Sequence, residues 1–326
     1  MNKIKNITKS FRLLSLIAVV LIIIGGVGAW LVGESENEMI TLKEVINIDD
    51  VSNVSINARN QIISVHAIAG NEARVVSSNV VSNSKLTVEV ISGVLNIESR
   101  LPRNKTIVNI SFRTFTDPPR LDVYLPSAIY ELVQISSTNG SIEISDFDIN
   151  DLQIESTNAG IEVADIVGNI NVRTTNGRIR AYRINGSDST IRTTNASVEV
   201  VDIVGNIDAV TRNGRITISD VAGETVIIET TNNQIELRNI KGDIKAQTRN
   251  GRIMLNNVTI EQNVRLQSTN GKVLVNLGNE PENATFDLRT TNGHRSIFGR
   301  ENSTEQFGDG RYEVILRTTN GSVMVE

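Results

Sequence analysis

Between residues 139 and 320, apolar and polar residues alternate on both sides of a recurring Ser/Thr-X-Asn-small phrase. Apolar residues stand four and six positions before the asparagine, as Ile170 and Val172 illustrate, and again three and five positions after it. An alternation with period two is typical of half-buried β-strands, so the pattern predicts a strand on each side of every asparagine. The ten asparagines are Asn139, Asn158, Asn176, Asn195, Asn213, Asn232, Asn250, Asn270, Asn292 and Asn320.

The spacing of these asparagines is nearly constant. Successive intervals are 19, 18, 19, 18, 19, 18, 20, 22 and 28 residues. Asn-Gly between alternating strands is also a common hairpin turn, so an antiparallel β-meander is the competing interpretation. Hairpins need no fixed unit length, whereas stacked coils do. The period therefore favours an all-β fold, a parallel β-solenoid or β-helix-like repeat domain.

A second period, of 37 residues, lies inside the first. Asn-Gly-Arg recurs at Asn176, Asn213 and Asn250, while the corners between them read Asn-Ala or Asn-Asn. From this alternation we expect one coil to contain two units, so that like corners stack on like corners in a body of about five coils. A coil of a single unit, with 18–19 residues, is the alternative, and it would make the body about twice as tall.

The residues around each asparagine predict the chemistry of the corner. Ser or Thr always stands two positions before it, and its parity directs the hydroxyl inward, where it can bond turn backbone. The following residue is Gly in seven units, Ala in two (Ala159 and Ala196) and Asn in one (Asn233). Because Gly and Asn tolerate positive φ, we expect a left-handed turn residue there, although the two alanines fit this less well.

The N-terminus predicts a membrane segment. Leu13 to Gly33 contains Ser15 as its one polar residue and, as a helix, would span roughly 31 Å. Four basic residues precede it and three glutamates follow it, so the rest of the chain is expected outside the cytoplasm. The alternative is a cleaved signal peptide with a small-X-small site at Gly26-Val27-Gly28. Under either interpretation, the repeats are expected outside the cytoplasm.

These features give a predicted domain plan and location. We expect a cytoplasmic tail at 1–12, an anchor at 13–33, an acidic linker at 34–40, a β-rich cap at 41–130 and solenoid repeats at 131–326. We expect residues 41–130 to cover the first strand edge of the solenoid as its cap, or to form a small β-domain fused to it, and we expect a loop at 294–311 to interrupt the last repeats. The protein is thus expected in the cell membrane, with its repeats on the outer side.

Two phrases resemble a known family. These are Leu121-Asp-Val-Tyr-Leu-Pro126 and the stretch from Val133 to Gly140, followed by repeated Thr-Asn-Gly-X-Ile. Over roughly residues 40–326 the chain resembles the putative-adhesin domain-of-unknown-function family of prokaryotic cell-surface β-repeat proteins. The resemblance implies a right-handed β-solenoid-like fold and an envelope location. It implies no catalytic residues.

Candidate chemistry is sparse. Glu143, Glu162, Glu199 and Glu236 share the position four residues after an asparagine, but they recur with the repeat, which is typical of a solvated face. The chain has two histidines and no cysteine, so we expect no catalytic site, no metal site and no cofactor. The net charge of −5 argues against a nucleic acid partner.

One set of basic residues follows the corners, and we call it the basic corner. Either these residues pair with Glu and Asp across the corner, or they bind an anionic partner such as an acidic glycan, a teichoic-type polymer or a lipid headgroup surface. The basic corner comprises Arg178, Arg212, Arg215, Arg249, Arg252 and Lys272.

The predicted function is a non-catalytic, membrane-anchored, outward-facing β-repeat module for cell-surface structure, adhesion or ligand interaction. Its expected partners are the membrane itself and a cell-surface glycan or an envelope protein. One alternative is an envelope-stress sensor that acts through a membrane partner. A carbohydrate-active β-helix enzyme is another, and it would require clustered carboxylates on one outer face.

Overall fold

The computed structural model describes residues 39–102, 117–277 and 279–326. The predicted tail, anchor and nearly all of the acidic linker lie outside these ranges. Residues 40–326 form one compact unit. Among the residues that the structure describes, no helix is long and apolar enough to cross a membrane.

All regular elements in these ranges are β-strands, which confirms the all-β prediction. The strands are β1 (Met39–Asn47), β2 (Asn53–Ala58), β3 (Ile62–Ile68), β4 (Glu72–Val81), β5 (Lys85–Ile91), β6 (Val94–Arg100), β7 (Arg120–Pro126), β8 (Ile129–Ser137), β9 (Ile142–Ser156), β10 (Ile161–Arg173), β11 (Ile179–Arg192), β12 (Val198–Val210), β13 (Ile216–Glu229), β14 (Ile235–Thr248), β15 (Ile253–Asn256), β16 (Val264–Ser268), β17 (Val273–Asn276), β18 (Ala284–Arg289), β19 (Arg295–Ile297), β20 (Thr304–Phe307), β21 (Tyr312–Arg317) and β22 (Val323–Val325).

The long strands β9 to β14 stack in parallel, each on the next, as a solenoid requires. Ile161 lies opposite Ile142 on one side and Ile179 on the other, so adjacent strands are one unit apart. One coil therefore contains a single unit of 18–19 residues. The expected coil of two units is wrong, because each asparagine corner from Asn158 to Asn270 stacks directly on the corner of the preceding unit.

The 37-residue period arises from a different corner of the coil. Alternate units carry one extra residue after a glycine, as Gly186-Ser187-Asp188 does where the preceding coil has Gly168-Asn169, and the strand register shifts there. The Asn169 side chain provides hydrogen-bond partners for this longer turn, because its Oδ1 accepts from the backbone N–H groups of Ser187 (3.1 Å) and Asp188 (3.0 Å). Short and long units alternate because each short unit supplies the acceptor for the longer turn above it.

A continuous aliphatic core runs through the stack. Val163, Ala181, Val200, Ile218 and Leu237 occupy one column on consecutive strands, and each is fully buried. Burying a side chain of this kind contributes roughly 1.5–3 kcal/mol for Val, Leu or Ile. The prediction that the alternating apolar residues point into the core is confirmed.

At the N-terminal end, spatial order differs from chain order. Strands β2 and β3 lie between the β6–β7 pair and the β8–β9 pair, all in parallel. Strand β5 then pairs antiparallel with β6, and β4 pairs antiparallel with β7. These antiparallel strands occupy backbone edges that would otherwise be open to pairing with another chain.

The C-terminal end repeats this arrangement. Strands β21 and β22, the last of the chain, lie between β16–β17 and β18–β19. The predicted loop at 294–311 contains two short strands, β19 and β20, and β20 pairs antiparallel with the outer edge of β18. At both ends of the stack of regular coils, the spatial order of the strands therefore differs from their order along the chain.

Candidate functional site

The ten asparagines form one hydrogen-bonded column, the asparagine ladder. The side-chain Nδ2 of each asparagine donates to Oδ1 of its neighbour at 2.5–2.8 Å, and Asn60 precedes Asn139 as an additional member. Sequence reasoning missed Asn60 because Ala58 stands where the repeat has Ser or Thr. Along the axis Asn320 lies between Asn270 and Asn292, which follows from the inserted last coil.

The inward Ser/Thr hydroxyls bond the turn backbone, as predicted. Thr174 is buried, and its Oγ1 accepts from the N–H of Gly177 (3.3 Å) and donates to the carbonyl of Ala159 in the preceding coil (3.3 Å). Thr211 and Thr248 make the equivalent pairs of bonds. Each of these three corners is thereby tied to its neighbour by a threonine hydroxyl as well as by an exposed amide.

The glycines after the asparagines have a different cause from the one expected. Gly140 has a positive φ of 95°, but Gly177, Gly214 and Gly251 do not, so left-handed backbone does not explain the column. A Cβ on Gly177 would lie 1.5 Å from the carbonyl oxygen of Ala159. Close approach of stacked backbones requires glycine at these positions.

A second corner carries the left-handed residues. Seven positions after each of the first seven asparagines, one residue has φ between 51° and 68°, and six of these seven residues are Asp or Asn, which tolerate this conformation. Their recurrence at a fixed offset could have been found in the sequence. The column is Asp146, Asp165, Arg183, Asp202, Asp220, Asn239 and Asn257.

Arg183 is the exception in this second corner, and an ion pair accompanies it. Its Nε and one terminal nitrogen donate to the two carboxylate oxygens of Asp165, both at 2.6 Å. Hydrogen bonding from Arg183 lowers the pKa of Asp165, and the same bond raises the pKa of Arg183. Both groups are exposed, so the pair organises the surface of the corner more than it stabilises the fold.

The basic corner follows the asparagine ladder on both sides. Arg178, Arg215 and Arg252 occupy the position two residues after the asparagine on alternate coils, with Ser197 and Gln234 between them. Successive arginines are thus two coils apart, roughly 10 Å, since stacked strands lie about 4.8 Å apart. Arg212 and Arg249 repeat the same two-coil interval one residue before the asparagine.

All six residues of the basic corner are exposed. None has a carboxylate oxygen of another described residue within 4.0 Å. Arg252 instead donates from Nε to the side-chain oxygen of Gln234 at 2.9 Å. In the described structure, the interpretation in which these residues pair with Glu and Asp across the corner is therefore not supported.

The glutamates weighed as catalytic candidates form a different column. Glu143, Glu162, Glu199 and Glu236 face outward on one side, with Arg180 between Glu162 (3.5 Å) and Glu199 (3.4 Å). Arg180 thus separates two of the four carboxylates and pairs with both. Burial, followed by the charge of Glu199, raises the pKa of the neighbouring Tyr182. Arg180, Glu162 and Glu199 thus form an ion-pair network on the outer face of the sheet.

The two histidines lie in separate surroundings. His66 stacks on Tyr124 with ring centroids 5.0 Å apart, and its Nε2 is 3.8 Å from Asp122. His294 has its Nδ1 3.8 Å from Glu301. Among the residues that the structure describes, no group of three or more His, Asp or Glu side chains has the geometry of a metal site.

A family model described as Toastrack DUF4097 matches residues 46–326. The chain belongs to this family. The match confirms the resemblance to the putative-adhesin family of unknown function and is consistent with the β-solenoid architecture. No curated protein matches the chain.

Three solved structures resemble this Toastrack chain over most of its length. A putative adhesin from Parabacteroides distasonis is 11% identical, with 89% of this chain and 98% of the other covered and a TM-score of 0.40. A putative lipid binding protein from the same organism is 11% identical, covers 88% and 96%, and has a TM-score of 0.36. A putative cell adhesion protein from Clostridium sporogenes is 10% identical, covers 88% and 99%, and has a TM-score of 0.21.

Proposed function

We propose that this Toastrack protein is a non-catalytic, membrane-anchored module that binds an anionic cell-surface polymer through its basic corner. The observation that carries this proposal is the contrast in pairing among its exposed cations. Arg180 and Arg183 contact carboxylates, whereas the six cations along the asparagine ladder have none within 4.0 Å among the described residues. Unpaired cations in a row attract an anionic ligand, because their mutual repulsion falls when the ligand binds.

The geometry of the basic corner suits an extended ligand. Its cations recur at a two-coil interval along the axis, from Arg178 through Arg215 to Arg252, and Lys272 continues the line on the next coil. A small ligand would contact one coil, whereas a polymer lying along the axis contacts several coils at once. Several weak contacts on one chain add to a useful affinity. An acidic glycan or a teichoic-type polymer has this form.

Substitution of two cations tests the binding surface. Residues 40–326 form a compact unit with their own core, so this fragment can be purified and applied to an immobilised polyanion at low salt. We expect Arg215→Ser with Arg252→Ser to abolish retention of the fragment. The control is Arg180→Ser with Arg192→Ser, which changes the net charge equally but removes arginines that already contact carboxylates. Retention should also weaken steeply as salt is added, because exposed charges are screened.

Equal retention of the two double variants would refute the basic corner as the binding surface. Loss of retention by both would show that net charge alone drives binding. Binding of the fragment to labelled cells, and its loss in the first double variant alone, would connect the surface to adhesion. An envelope protein with an acidic surface is the partner to test next if no polymer is retained.

The membrane part of the proposal rests on the sequence. We retain the tail at 1–12, the anchor at 13–33 and the acidic linker at 34–40, with the repeats outside the cytoplasm. The chain has no cysteine, so Glu36→Cys supplies a unique thiol. We expect a membrane-impermeant thiol reagent to label this variant in intact cells, and the intact mass of the protein to include residues 13–33. A mature N-terminus near Gly28 would replace the anchor by a cleaved signal peptide.

A further inference from the structure

The last coil of the chain is not the last coil of the solenoid. Residues 312–326, which we call the C-terminal segment, contain β21 and β22 and occupy a slot between two coils that precede them in the sequence. Val314, Leu316, Val323 and Val325 of this segment are fully buried. The segment therefore supplies one complete layer of the core. Without it, the coils on either side would be separated by a gap that is one strand wide.

Backbone hydrogen bonds hold the segment on both edges. On one side Val273 N donates to Ser322 O (2.9 Å). On the other, Val323 N donates to His294 O (2.8 Å). The asparagine ladder also passes through the segment, because Asn320 bridges its neighbours on either side at 2.7 Å. Whatever fills the slot must match this register of apolar residues and asparagine, and a C-terminal segment does so.

The connection to the segment is short and conformationally constrained. Residues 308–311 link β20, on the outer edge of β18, to β21 on its inner edge, so the chain crosses over β18 in four residues. Gly308 and Gly310 have positive φ values of 57° and 73°. A Cβ on Gly308 would lie 2.2 Å from the carbonyl oxygen of Glu282. Short hinges under constraint favour exchange of the following element between copies.

The turn before β20 adds a second constraint. Ile297 and Arg300 exchange both backbone hydrogen bonds at 2.9 Å, and the two residues between them, Phe298 and Gly299, have φ values of 44° and 77°. Such a turn favours Asn, Asp or Gly at its first central position, and a phenylalanine there is strained. This strain lies before β20 and outside the hinge at 308–311, and the contacts of the C-terminal segment itself are regular.

We propose that the C-terminal segment exchanges between two copies of this chain, each copy filling the slot of the other. The core contacts, edge hydrogen bonds and ladder rungs of the exchanged form are identical to those within one chain. The hinge at 308–311 no longer has to cross back over β18 in four residues. The partner is a second copy, because the slot requires the register of apolar residues and asparagine that this segment carries.

Single cysteines in the cysteine-free full-length chain test the exchange. Asn292→Cys places a thiol in the receiving coil, and Asn320→Cys places one in the C-terminal segment, where the native side chains are 2.7 Å apart. The two variants, one carrying a mass tag, are unfolded together, refolded in detergent at high protein concentration and mildly oxidised. The control mixture combines Asn320→Cys with Asn158→Cys, a ladder position remote from the slot.

We expect the first mixture to yield disulfide-linked pairs containing one copy of each variant, several-fold above the control mixture. The double variant with both cysteines in one chain reports whether the positions can be bridged at all. If it closes within single chains while the mixture stays at the control level, the proposal is overturned. A wild-type chain that remains monomeric at every refolding concentration overturns it as well.

Discussion

Two stretches of regular coils share one architecture but differ in charge. Residues 133–209, the acidic coils, carry five basic and eleven acidic residues, a net charge of −6. Residues 210–276, the basic coils, carry nine basic and six acidic residues, a net charge of +3. In the acidic coils Arg180, Arg183 and Arg192 contact carboxylates, whereas Arg173 and Arg178 have no described carboxylate within 4.0 Å. In the basic coils no cation has a described carboxylate within 4.0 Å.

The inward positions do not share this difference. Ile191, Ala209 and Ile228 occupy one core column that passes from the acidic to the basic coils, and all three are fully buried. The asparagine ladder also continues across the boundary without a change in spacing, from Asn195 to Asn213 to Asn232. Stacking therefore constrains the inside of each coil and leaves the outside free, so the outer charge can be specialised for binding while the fold is kept.

The largest expected effect tests whether the two stretches share one core. Ile191→Ala in the acidic coils and Ile228→Ala in the basic coils remove the same side chain from the same column. Each should lower the free energy of unfolding by about 2–5 kcal/mol, because lost transfer energy and a residual cavity add. Chemical denaturation of the 40–326 fragment measures both. A loss confined to one variant would show that the stretches unfold as separate units.

The next effect concerns backbone contact at the corners. Gly214→Ala in the basic coils would place a Cβ 1.7 Å from the carbonyl oxygen of Ala196, so neighbouring backbones must separate. We expect destabilisation of about 1–3 kcal/mol, as in other overpacked sites. The reverse change, Ala196→Gly, should cost about 0.5–1 kcal/mol through backbone entropy alone. Equal effects of the two changes would contradict close approach as the reason for glycine.

The sequence predicted the coil contents better than the coil length. Alternation around the asparagines identified the inward residues, since period two follows directly from strand geometry. The 37-residue period was misread as the length of a coil because hydrogen bonding across coils is not visible in one sequence. Asn169 shows the cause, since its side chain satisfies two N–H groups of the following unit and so couples a short unit to a long one.

The basic corner was predicted as a set of residues but not as an arrangement. The sequence placed Arg178, Arg215 and Arg252 at equivalent positions, yet their separation depends on the number of units per coil. Their lack of carboxylate contacts depends on side-chain geometry, which repeat spacing does not determine. The exchange of order at the chain ends was also missed, because strand pairing between distant segments such as β18 and β21 leaves no periodic signal.

A smaller effect tests the origin of the alternation at the boundary between the two stretches. Oδ1 of Asn206 accepts from the N–H groups of Glu224 (3.1 Å) and Thr225 (3.0 Å) in the first basic coil. Asn206→Ala should destabilise the fragment by about 1 kcal/mol, since water can replace part of the lost bonding. Asn206→Asp retains the acceptor for these two N–H groups, but it faces the carboxylate of Asp188, to which Nδ2 of Asn206 donates at 3.2 Å, so its stability should also fall. Amide hydrogen exchange should accelerate at residues 224 and 225 in the alanine variant alone.

The smallest effect tests charge pairing, the feature that separates the two stretches. Hydrogen bonding from Arg183 lowers the pKa of Asp165 below its ordinary value of 3.8. Because the folded-state pKa is depressed, the ion pair contributes stability above that ordinary value and loses it as the pH falls through the lowered one. In Arg183→Ser the pKa of Asp165 should rise towards its ordinary value, as a carboxyl-selective NMR titration would show.

The control for this titration is Arg215→Ser, which removes an exposed arginine that lacks a described carboxylate partner. It should leave the titration of Asp165 unchanged, because the two residues are far apart. Asp165 lies at the second corner of the acidic coils, whereas Arg215 lies beside the asparagine ladder in the basic coils. If both substitutions shifted the carboxyl equally, the summed charge of the solenoid would govern its surface. The distinction between paired and unpaired arginines would then fail, and with it the reason for assigning anion binding to the basic corner.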